Sequence, residues 1–377
     1  MPSSRYIFAS LPWYSVLVVS GICAAILWAM HEEKRMGLPK DTVVDLALWL
    51  IPCGVIGARL YYVAFAWDTF AAHPWSIFAI WNGGLAIYGG IIGGALAALV
   101  FSRRRHISLL RLLDMVAPGV LLAQAIGRWG NFFNMEAYGL EVTNEALQFF
   151  PFAVLIPENG VYVWHMATFF YESMWNLLGF IAIACTRKKM RRPGDILFWY
   201  LIIYGGGRLI VEGLRLDSLM TTGGNARVSQ LFSVCLCLLV CGLYAWRAVG
   251  HKEKWPAWIP GGLAGLCMLA ASLMLPRPHE AFLGYEGVWL IIACGSIVAS
   301  VMLAIDSSLS IKERLVSLLP LLPVLFSLLV RRALALSAVA AWKNDLLLCI
   351  LLTVTLLADG CCFYPIANRR TSCLQEC

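Results

Sequence analysis

Charged residues are scarce in this sequence. Asp, Glu, Lys and Arg make up 14% of its 377 residues, whereas they make up about 25% of an ordinary soluble domain. Hydrophobic residues make up 60% of the chain, and the mean hydropathy is +0.75. A chain with so few polar groups cannot cover a water-facing surface, so a water-soluble globular protein is excluded.

The sequence also lacks the motifs of soluble enzymes and metal proteins. It contains no phosphate-binding loop and no nucleophile elbow, and its 6 histidines form no metal-ligand pattern. Most of its 13 cysteines lie inside apolar runs, where a disulfide framework is not expected. We expect neither a metal nor a cofactor. The formal charge of +7 comes from short basic clusters between apolar runs, which does not indicate a nucleic-acid partner.

Long apolar runs are abundant. A helix that crosses a membrane needs about 20 residues, and candidate runs lie at about residues 11–30, 43–66, 83–101, 112–127, 168–186, 195–213 and 228–247. Further runs lie near residues 258–275, 286–305, 315–330 and 346–362. We predict an all-α fold: a polytopic transmembrane bundle with a seven-helix core and three to four further C-terminal segments. Residues 1–250 form the predicted core domain, and residues 251–377 form an additional module of unknown role.

The basic residues predict the orientation of these spans. Fifteen Lys and Arg residues follow the first, third, fifth and seventh spans, against three in the alternate connections. Since cytoplasmic loops carry the excess of Lys and Arg, we expect the N-terminus outside and residue 250 in the cytoplasm.

Ionisable residues inside the spans are few. Arg59, Arg128, Arg208 and Glu212 all fall toward the outer half of the membrane in this orientation, and each charge at the bilayer centre costs about 2.5–3.5 kcal/mol on insertion scales. Tyr204, Arg208 and Glu212 follow one another at a spacing of four residues, so they share one helix face. An Arg208–Glu212 ion pair there is compatible with packing and with function alike.

Arg128 lies in the segment GRWGNFFN, together with Asn131 and Asn134. The apolar run before it contains no acid until Asp114. We therefore expect an arginine without a neutralising partner at the outer interface, which favours the binding of an anion.

The segment NGGLAIYGGIIGG, residues 82–94, is rich in glycine. Glycines at a spacing of four residues, such as Gly89 and Gly93, let transmembrane backbones approach closely. Alternatively, Gly83 and Gly84 leave backbone N–H groups available for an anion at the start of a span.

At these motifs the sequence resembles the bacterial prolipoprotein diacylglyceryl transferase family. The similar segments are IGARLYYV, WNGGLAIYGGIIGG, GRWGNFFNMEAYG, HMATFFYES and GDILFWYLIIYGGGRLIVEGLR, in this order over about residues 10–245. The resemblance implies an enzyme of the bacterial cytoplasmic (inner) membrane with seven spans and its N-terminus outside. Such an enzyme transfers the diacylglyceryl group of phosphatidylglycerol to the lipobox cysteine of a secreted prolipoprotein and releases glycerol phosphate. The implied partners are phosphatidylglycerol, the lipobox peptide and membrane lipid.

The resemblance also implies site residues. The essential arginines of the family fall on Arg128 and Arg208, whereas Tyr88 stands where the family usually has a histidine proposed as the base. Since tyrosine is a poor base, orientation by hydrogen bonding is the expected role of Tyr88, and Glu136 and His165 are candidates to replace the histidine. The predicted catalytic residues are Arg128, Arg208, Tyr88 and Glu136. The predicted substrate-binding residues are Asn131, Gly139, Tyr204, Glu212, Arg59, Gly83, Gly84 and His165.

Two alternatives stay open at the level of sequence. A catalytically silent relative that binds lipid is motivated by Tyr88. A transporter or flippase for an anionic lipid would also need outer arginines, although the sequence shows no internal repeat of the kind that transporters often have.

Overall fold

The computed structural model describes residues 5–8, 11–71, 73–158, 160–190, 192–215 and 310–326 as continuous stretches. It also describes residues 233, 240, 293, 296, 297, 300, 301, 350, 351, 353–361 and 364. The predicted span at 228–247 and most of the predicted C-terminal spans therefore lie outside the described residues.

Helices dominate the described part of the chain. They are α1 (Trp13–Arg35), α2 (Thr42–Phe65), α3 (Trp67–Ala71), α4 (Ile87–Arg105), α5 (Leu109–Asn134), α6 (Thr168–Thr186) and α7 (Asp195–Leu214), with a short helix at Ile311–Ser317. Single turns of 3₁₀-helix lie at Pro74–Phe78, Ile80–Asn82, Glu145–Leu147 and Arg187–Lys189. Two antiparallel hairpins complete the described structure: β1 (Tyr6–Phe8) with β2 (Leu11–Pro12), and β3 (Ala153–Glu158) with β4 (Val161–Met166).

Five of the described helices are long and apolar enough to cross a membrane. They are α1, α2, α5, α6 with its following turn, and α7. The helix α4 contains four glycines and ends in three arginines, which lower its mean hydropathy. The predicted helical, multi-pass membrane fold is confirmed.

The helix α5 is longer than predicted. It continues through the glycine-containing segment to Asn134, whereas the apolar run indicated an end at residue 127. Trp129 and Phe132 pack against a buried cluster around Val154 and Phe169, and this contact stabilises the helical conformation beyond the apolar run. The helix ends where Met135 adopts a positive φ of 55°. Arg128 is therefore held on a helix.

The predicted span beginning at residue 83 starts later, at Ile87. Gly83 and Gly84 precede it with φ angles of 84° and 73°, which favour glycine. The N–H of Gly83 donates to the carbonyl of Ile80. The N–H of Gly83 is therefore engaged in the preceding turn, and the binding role predicted for Gly83 and Gly84 stays a prediction.

The chain divides into two compact units. The first comprises Met1–Val16, Gly127–Gly179 and Phe198–Cys377, and the second comprises Leu17–Ile126 and Phe180–Leu197. Within the first unit, the hydroxyl of Thr353 donates to the carbonyl of Gly206 on α7 at 3.0 Å, so a C-terminal segment contacts the helix that carries Arg208. The boundary predicted at residue 250 stays a prediction.

In the second unit, α2 and α4 approach closely through their glycines. A Cβ on Gly89 would collide with the carbonyl of Gly57, and one on Gly93 would collide with the carbonyl of Cys53. Helix packing by the glycine-rich segment is therefore confirmed.

Candidate active site

A cluster of arginines and glutamates joins three helices of the first unit. Nη2 of Arg128, near the end of α5, lies 2.7 Å from Oε1 of Glu172 on α6. Nη1 of Arg208, on α7, lies 3.4 Å from the other oxygen, Oε2, of the same carboxylate. Residues 128, 172 and 208, far apart in sequence, thus meet at one carboxylate.

The α7 end of this arginine–glutamate cluster contains a second acid. Nη2 of Arg208 lies 2.5 Å from Oε2 of Glu212, so the predicted ion pair is present. Nη1 of Arg215 lies 3.9 Å from the same oxygen. Tyr204, one turn before Arg208, stacks on Tyr200 with ring centroids 5.8 Å apart. The side chains of one face of α7 are therefore arranged around the Arg208 guanidinium.

Burial and charge make this cluster suited to an anion. The side chain of Glu172 is 3% exposed, whereas those of Arg128 and Arg208 are 22% and 13% exposed. Three arginines against two glutamates leave the cluster with one formal positive charge. The acids are thus buried behind arginines that are still partly accessible, and part of each guanidinium fork can contact a ligand.

The prediction that Arg128 lacks a neutralising acid is wrong. Its partner Glu172 lies 44 residues later, on another helix, and only packing brings the two side chains together. Because a buried ion that is not paired costs several kcal/mol, the ion pair with Glu172 stabilises an arginine at this position.

A cavity of about 250 Å³ lies in the same unit, beside the end of α5. Asn131, one turn after Arg128, lines it, as does Glu136, whose Oε1 accepts a hydrogen bond of 3.1 Å from the Asn134 amide. Most of the remaining lining is aromatic or aliphatic: Phe132, Met135, Tyr138, Phe150, Ala153, Val154, Leu155, Ile156, Trp164 and Phe169. The cavity combines an apolar wall with two polar groups from the GRWGNFFNME segment, as ligand sites often do.

The β3–β4 hairpin forms part of this wall, and His165 fixes it in place. His165 is buried, and its Nδ1 lies 2.9 Å from the carbonyl oxygen of Gly139. Its Nε2 lies 3.3 Å from Oε1 of Glu158, but the two atoms do not have the geometry of a hydrogen bond. The ring also packs on Tyr138, with centroids 4.8 Å apart. These contacts indicate that His165 positions the hairpin.

Gly139 is required by close packing. A Cβ there would lie 2.9 Å from the carbonyl oxygen of Leu214 and 2.7 Å from Cγ2 of Thr168. Gly139 also forms a β-bridge with Arg215, which ties the connection after α5 to the end of α7. Close packing therefore requires glycine between these elements, and the predicted role of Gly139 in substrate binding stays a prediction.

Arg59, a predicted substrate-binding residue, lies in the second unit and holds a turn of the chain. It is 6% exposed, and its guanidinium donates hydrogen bonds to five backbone carbonyl groups of the turn before α4. The acceptors are Ser76, Ile77, Ala79, Gly83 and Gly84. An arginine has five N–H donors, so all of them are used within the chain. The side chain therefore holds the turn, and its predicted role in substrate binding stays a prediction.

Tyr88 also belongs to the second unit, in the first turn of α4. The centroid of its ring lies 6.4 Å from the ring centroid of Tyr61 on α2. Its catalytic role stays a prediction.

Comparison with known proteins identifies the family of this chain. A family model described as prolipoprotein diacylglyceryl transferase matches residues 5–246, which include every residue of the arginine–glutamate cluster. The chain belongs to this family. The resemblance inferred from the sequence motifs is confirmed, and so is the prediction of a membrane transferase.

Curated relatives agree with the family model. A phosphatidylglycerol–prolipoprotein diacylglyceryl transferase of Enterococcus faecalis is 48% identical over 230 residues, which are 59% of this chain and 82% of the relative. Proteins of the same name from Listeria innocua and Streptococcus agalactiae are 44% and 46% identical, over 64% and 61% of this chain and 87% and 89% of theirs.

One residue that the structure places at the centre of the arginine–glutamate cluster was not selected from the sequence as a site residue. Glu172 holds both Arg128 and Arg208, but the sequence marks it only by its helical spacing after His165 and Thr168. A buried acid on an apolar helix is costly unless it is paired. The α6 helix contains no basic residue that could pair with Glu172. The cost of burying an unpaired acid was therefore the sequence signal that Glu172 has a basic partner on another element.

Proposed function

We propose that this chain transfers the diacylglyceryl group of phosphatidylglycerol to the lipobox cysteine of secreted bacterial prolipoproteins and releases glycerol phosphate. The observation that carries the proposal is the pair Arg128 and Arg208, held by one buried carboxylate with part of each guanidinium exposed. The names of the relatives, which specify phosphatidylglycerol and prolipoprotein, support the substrate classes.

The reaction makes its phosphate more anionic. The cysteine sulfur forms a bond to the terminal carbon of the diacylglyceryl group as the bond from that carbon to the phosphate oxygen breaks. Glycerol phosphate leaves with the electron pair, so a phosphodiester of charge one becomes a monoester whose charge approaches two. Arginines fixed at the phosphate stabilise this added charge more than the ground state, and such a difference accelerates a reaction.

The arginine–glutamate cluster is suited to this task. The guanidinium fork offers two parallel donors to two phosphate oxygens. Glu172 pairs with Nη1 of Arg208 and Glu212 pairs with its Nη2, so the position of this guanidinium does not depend on the ligand. Such preorganisation avoids the cost of reorientation during the reaction.

The thiol must lose its proton as sulfur attacks. An unperturbed cysteine has a pKa near 8.5, so forming the thiolate at neutral pH costs about 2 kcal/mol. Glu136 faces the cavity one turn beyond Asn131, and we assign it the role of proton acceptor. Tyr88 orients the substrate by its hydroxyl, as expected from its chemistry.

The proposed setting is the cytoplasmic (inner) membrane of a bacterium, with the N-terminus outside. The charge count supports this orientation, since fifteen basic residues flank one side of the core and three flank the other. The arginine–glutamate cluster then lies at the outer ends of α5 and α7, where a secreted precursor emerges.

The decisive experiment incubates the purified full chain with phosphatidylglycerol and a synthetic lipobox peptide. Mass spectrometry should detect a diacylglyceryl adduct on the cysteine together with released glycerol phosphate. Arg208→Ala should abolish both products, whereas Arg103→Ala, an exposed arginine at the end of α4, should leave both. Absence of the adduct in the wild-type chain would refute the proposal in favour of a silent lipid-binding relative or a transporter. Full activity in Arg208→Ala would refute the site.

A further inference from the structure

A second cavity, in the second unit, is lined by basic side chains. It has a volume of about 230 Å³ and lies where α1 ends, α5 begins, and α6 connects to α7. Four cations line this basic cavity: Arg35, Arg111, Lys188 and Arg192. One acid, Asp114, lines it as well, so the lining carries an excess of three formal positive charges. The space is ample for a ligand group, because one ordered water needs only about 10–15 Å³.

Two carboxylates near the cavity, those of Asp114 and Glu32, already bind other groups of the chain. Oδ2 of Asp114 accepts a hydrogen bond of 2.6 Å from the N–H of Gly194, and its Oδ1 accepts one of 2.8 Å from the N–H of Leu197. The carboxylate of Asp114 therefore fixes the connection before α7, and its charge is directed toward backbone donors on that side.

Glu32 lies three residues before Arg35 in the chain, and it is fully buried. Its two oxygens bind Arg35 and Arg187, at 2.5 Å and 2.6 Å. Among the described residues, Lys188 has no acidic partner. The carboxylates of Asp114 and Glu32 are therefore both engaged within the chain, and neither pairs with Lys188.

Two of the four basic side chains are also held in place. Arg35 is fixed by Glu32, and Nη2 of Arg111 donates to the carbonyl of Met36 at 2.9 Å. Cations that are positioned before a ligand arrives pay less conformational entropy on binding it. Arg35 and Arg111 are thus positioned before a ligand arrives, and the exposed Lys188 and partly buried Arg192 complete the basic lining.

The remaining lining is apolar, which indicates the kind of anion. Met36, Met190, Pro193 and Ile196 complete the walls. A free inorganic anion gains nothing from such walls, whereas a lipid headgroup brings a glycerol and the first carbons of its chains. Basic pockets between transmembrane helices at the cytoplasmic side bind anionic headgroups.

We propose that the basic cavity binds the phosphate of an anionic phospholipid of the cytoplasmic leaflet. The leaflet follows from the orientation proposed above, since all four cations lie at the ends that the charge count places in the cytoplasm. This site is separate from the transferase site: it is formed by other residues, and it binds lipid without any reaction. Occupation of the cavity links the end of α1, the start of α5 and the connection before α7 through one ligand.

The test uses the purified full chain and phosphatidic acid as the probe, with binding measured by native mass spectrometry. All variants carry Arg208→Gln, so that the transferase site contributes little binding of its own. Lys188→Gln with Arg192→Gln should weaken binding at least about tenfold, because two charge-assisted hydrogen bonds to the phosphate are removed. The matched control is Lys189→Gln with Arg103→Gln, which removes the same charges from exposed positions outside the cavity lining. It should change the affinity less than about twofold.

A second arm of the test distinguishes the source of the phosphate. Inorganic phosphate is titrated by calorimetry into the chain in phosphatidylcholine nanodiscs. Weak or absent binding of inorganic phosphate, with strong binding of phosphatidic acid, supports the lipid. Binding of inorganic phosphate as tight as that of the lipid, and equally dependent on Lys188 and Arg192, would overturn the lipid in favour of a soluble anion.

Two results would overturn the site itself. One is equal loss of affinity in the cavity variant and in its matched control, which would indicate nonspecific attraction. The other is unchanged affinity in the cavity variant. Thermal unfolding midpoints of both double variants check that each one is folded, and increasing NaCl should weaken binding to the wild-type cavity. Because no measurement here involves transfer, failure of the proposed function leaves this test intact.

Discussion

Replacement of Arg208 by lysine tests whether the fork of the guanidinium, and not its charge alone, is required. Nη1 of Arg208 lies 3.4 Å from Glu172, and its Nη2 lies 2.5 Å from Glu212. The two nitrogens are thus committed to two different carboxylates on two helices. A lysine has one ammonium nitrogen on a flexible stem, so it cannot reproduce both ion pairs and also face a phosphate.

The expected magnitude follows from the hydrogen bonds that lysine cannot form. One hydrogen bond to a charged group is worth about 1.5–3 kcal/mol. Since each 1.4 kcal/mol is a factor of ten, Arg208→Lys should lower kcat/KM about ten- to a hundredfold. Arg215→Lys, directly after the same helix, provides a graded comparison, because Arg215 lies farther from Glu212, at 3.9 Å. It should lose clearly less activity than Arg208→Lys.

The assay measures adduct formation on the lipobox peptide at several concentrations of phosphatidylglycerol. Thermal unfolding of each variant separates loss of folding from loss of chemistry. Activity of Arg208→Lys within about threefold of wild type would refute the importance of the fork. An equal loss in Arg208→Lys and Arg215→Lys would refute the central position of Arg208.

Three further predictions concern other described residues. Glu172→Gln should lower kcat at least about tenfold without raising KM for phosphatidylglycerol, because both arginines lose their ion pair while the cluster becomes more positive. Steady-state kinetics measure both constants, with Glu145→Gln at an exposed position as the control. A rise in KM with unchanged kcat would contradict this prediction. Arg59→Gln should lower the free energy of unfolding by about 2 kcal/mol, since several partly buried carbonyl groups lose a charged donor. An unchanged thermal unfolding midpoint would show that the turn is stable without these hydrogen bonds. Tyr88→Phe should reduce transfer by no more than about tenfold, as expected for loss of one neutral hydrogen bond, and a loss as complete as that of Arg208→Ala would assign Tyr88 to the proton path.

The sequence predicts where most of the helices lie, but not which side chains of different elements contact each other. Apolar runs predict the approximate positions of α1, α2, α6 and α7, because a span in lipid must be long and apolar. The continuation of α5 to Asn134 was missed, since it depends on the packing of Trp129 and Phe132. The Arg128–Glu172 pair was missed for the same reason: the two residues are neighbours only in three dimensions.

The β3–β4 hairpin was also not predicted, although its signal was present. The segment AVLIPENGVYVWHM places two β-branched runs around Asn159 and Gly160, a dipeptide typical of tight hairpin turns. Gly160 adopts a φ of 84°, in the region that such turns require. The flanking apolar runs follow the pattern of membrane helices, whereas this short hairpin follows the pattern of hairpins in soluble proteins.

The way in which Arg59 holds its turn has an evolutionary consequence. All five acceptors are main-chain oxygens, so the interaction does not depend on which side chains the turn carries. Residues 76, 77 and 79 are therefore able to drift among homologues while the shape of the turn persists. The two glycines at 83 and 84 are the exceptions, because their backbone angles exclude most replacements. One buried arginine thus decouples the amino-acid identity of this connection from its geometry.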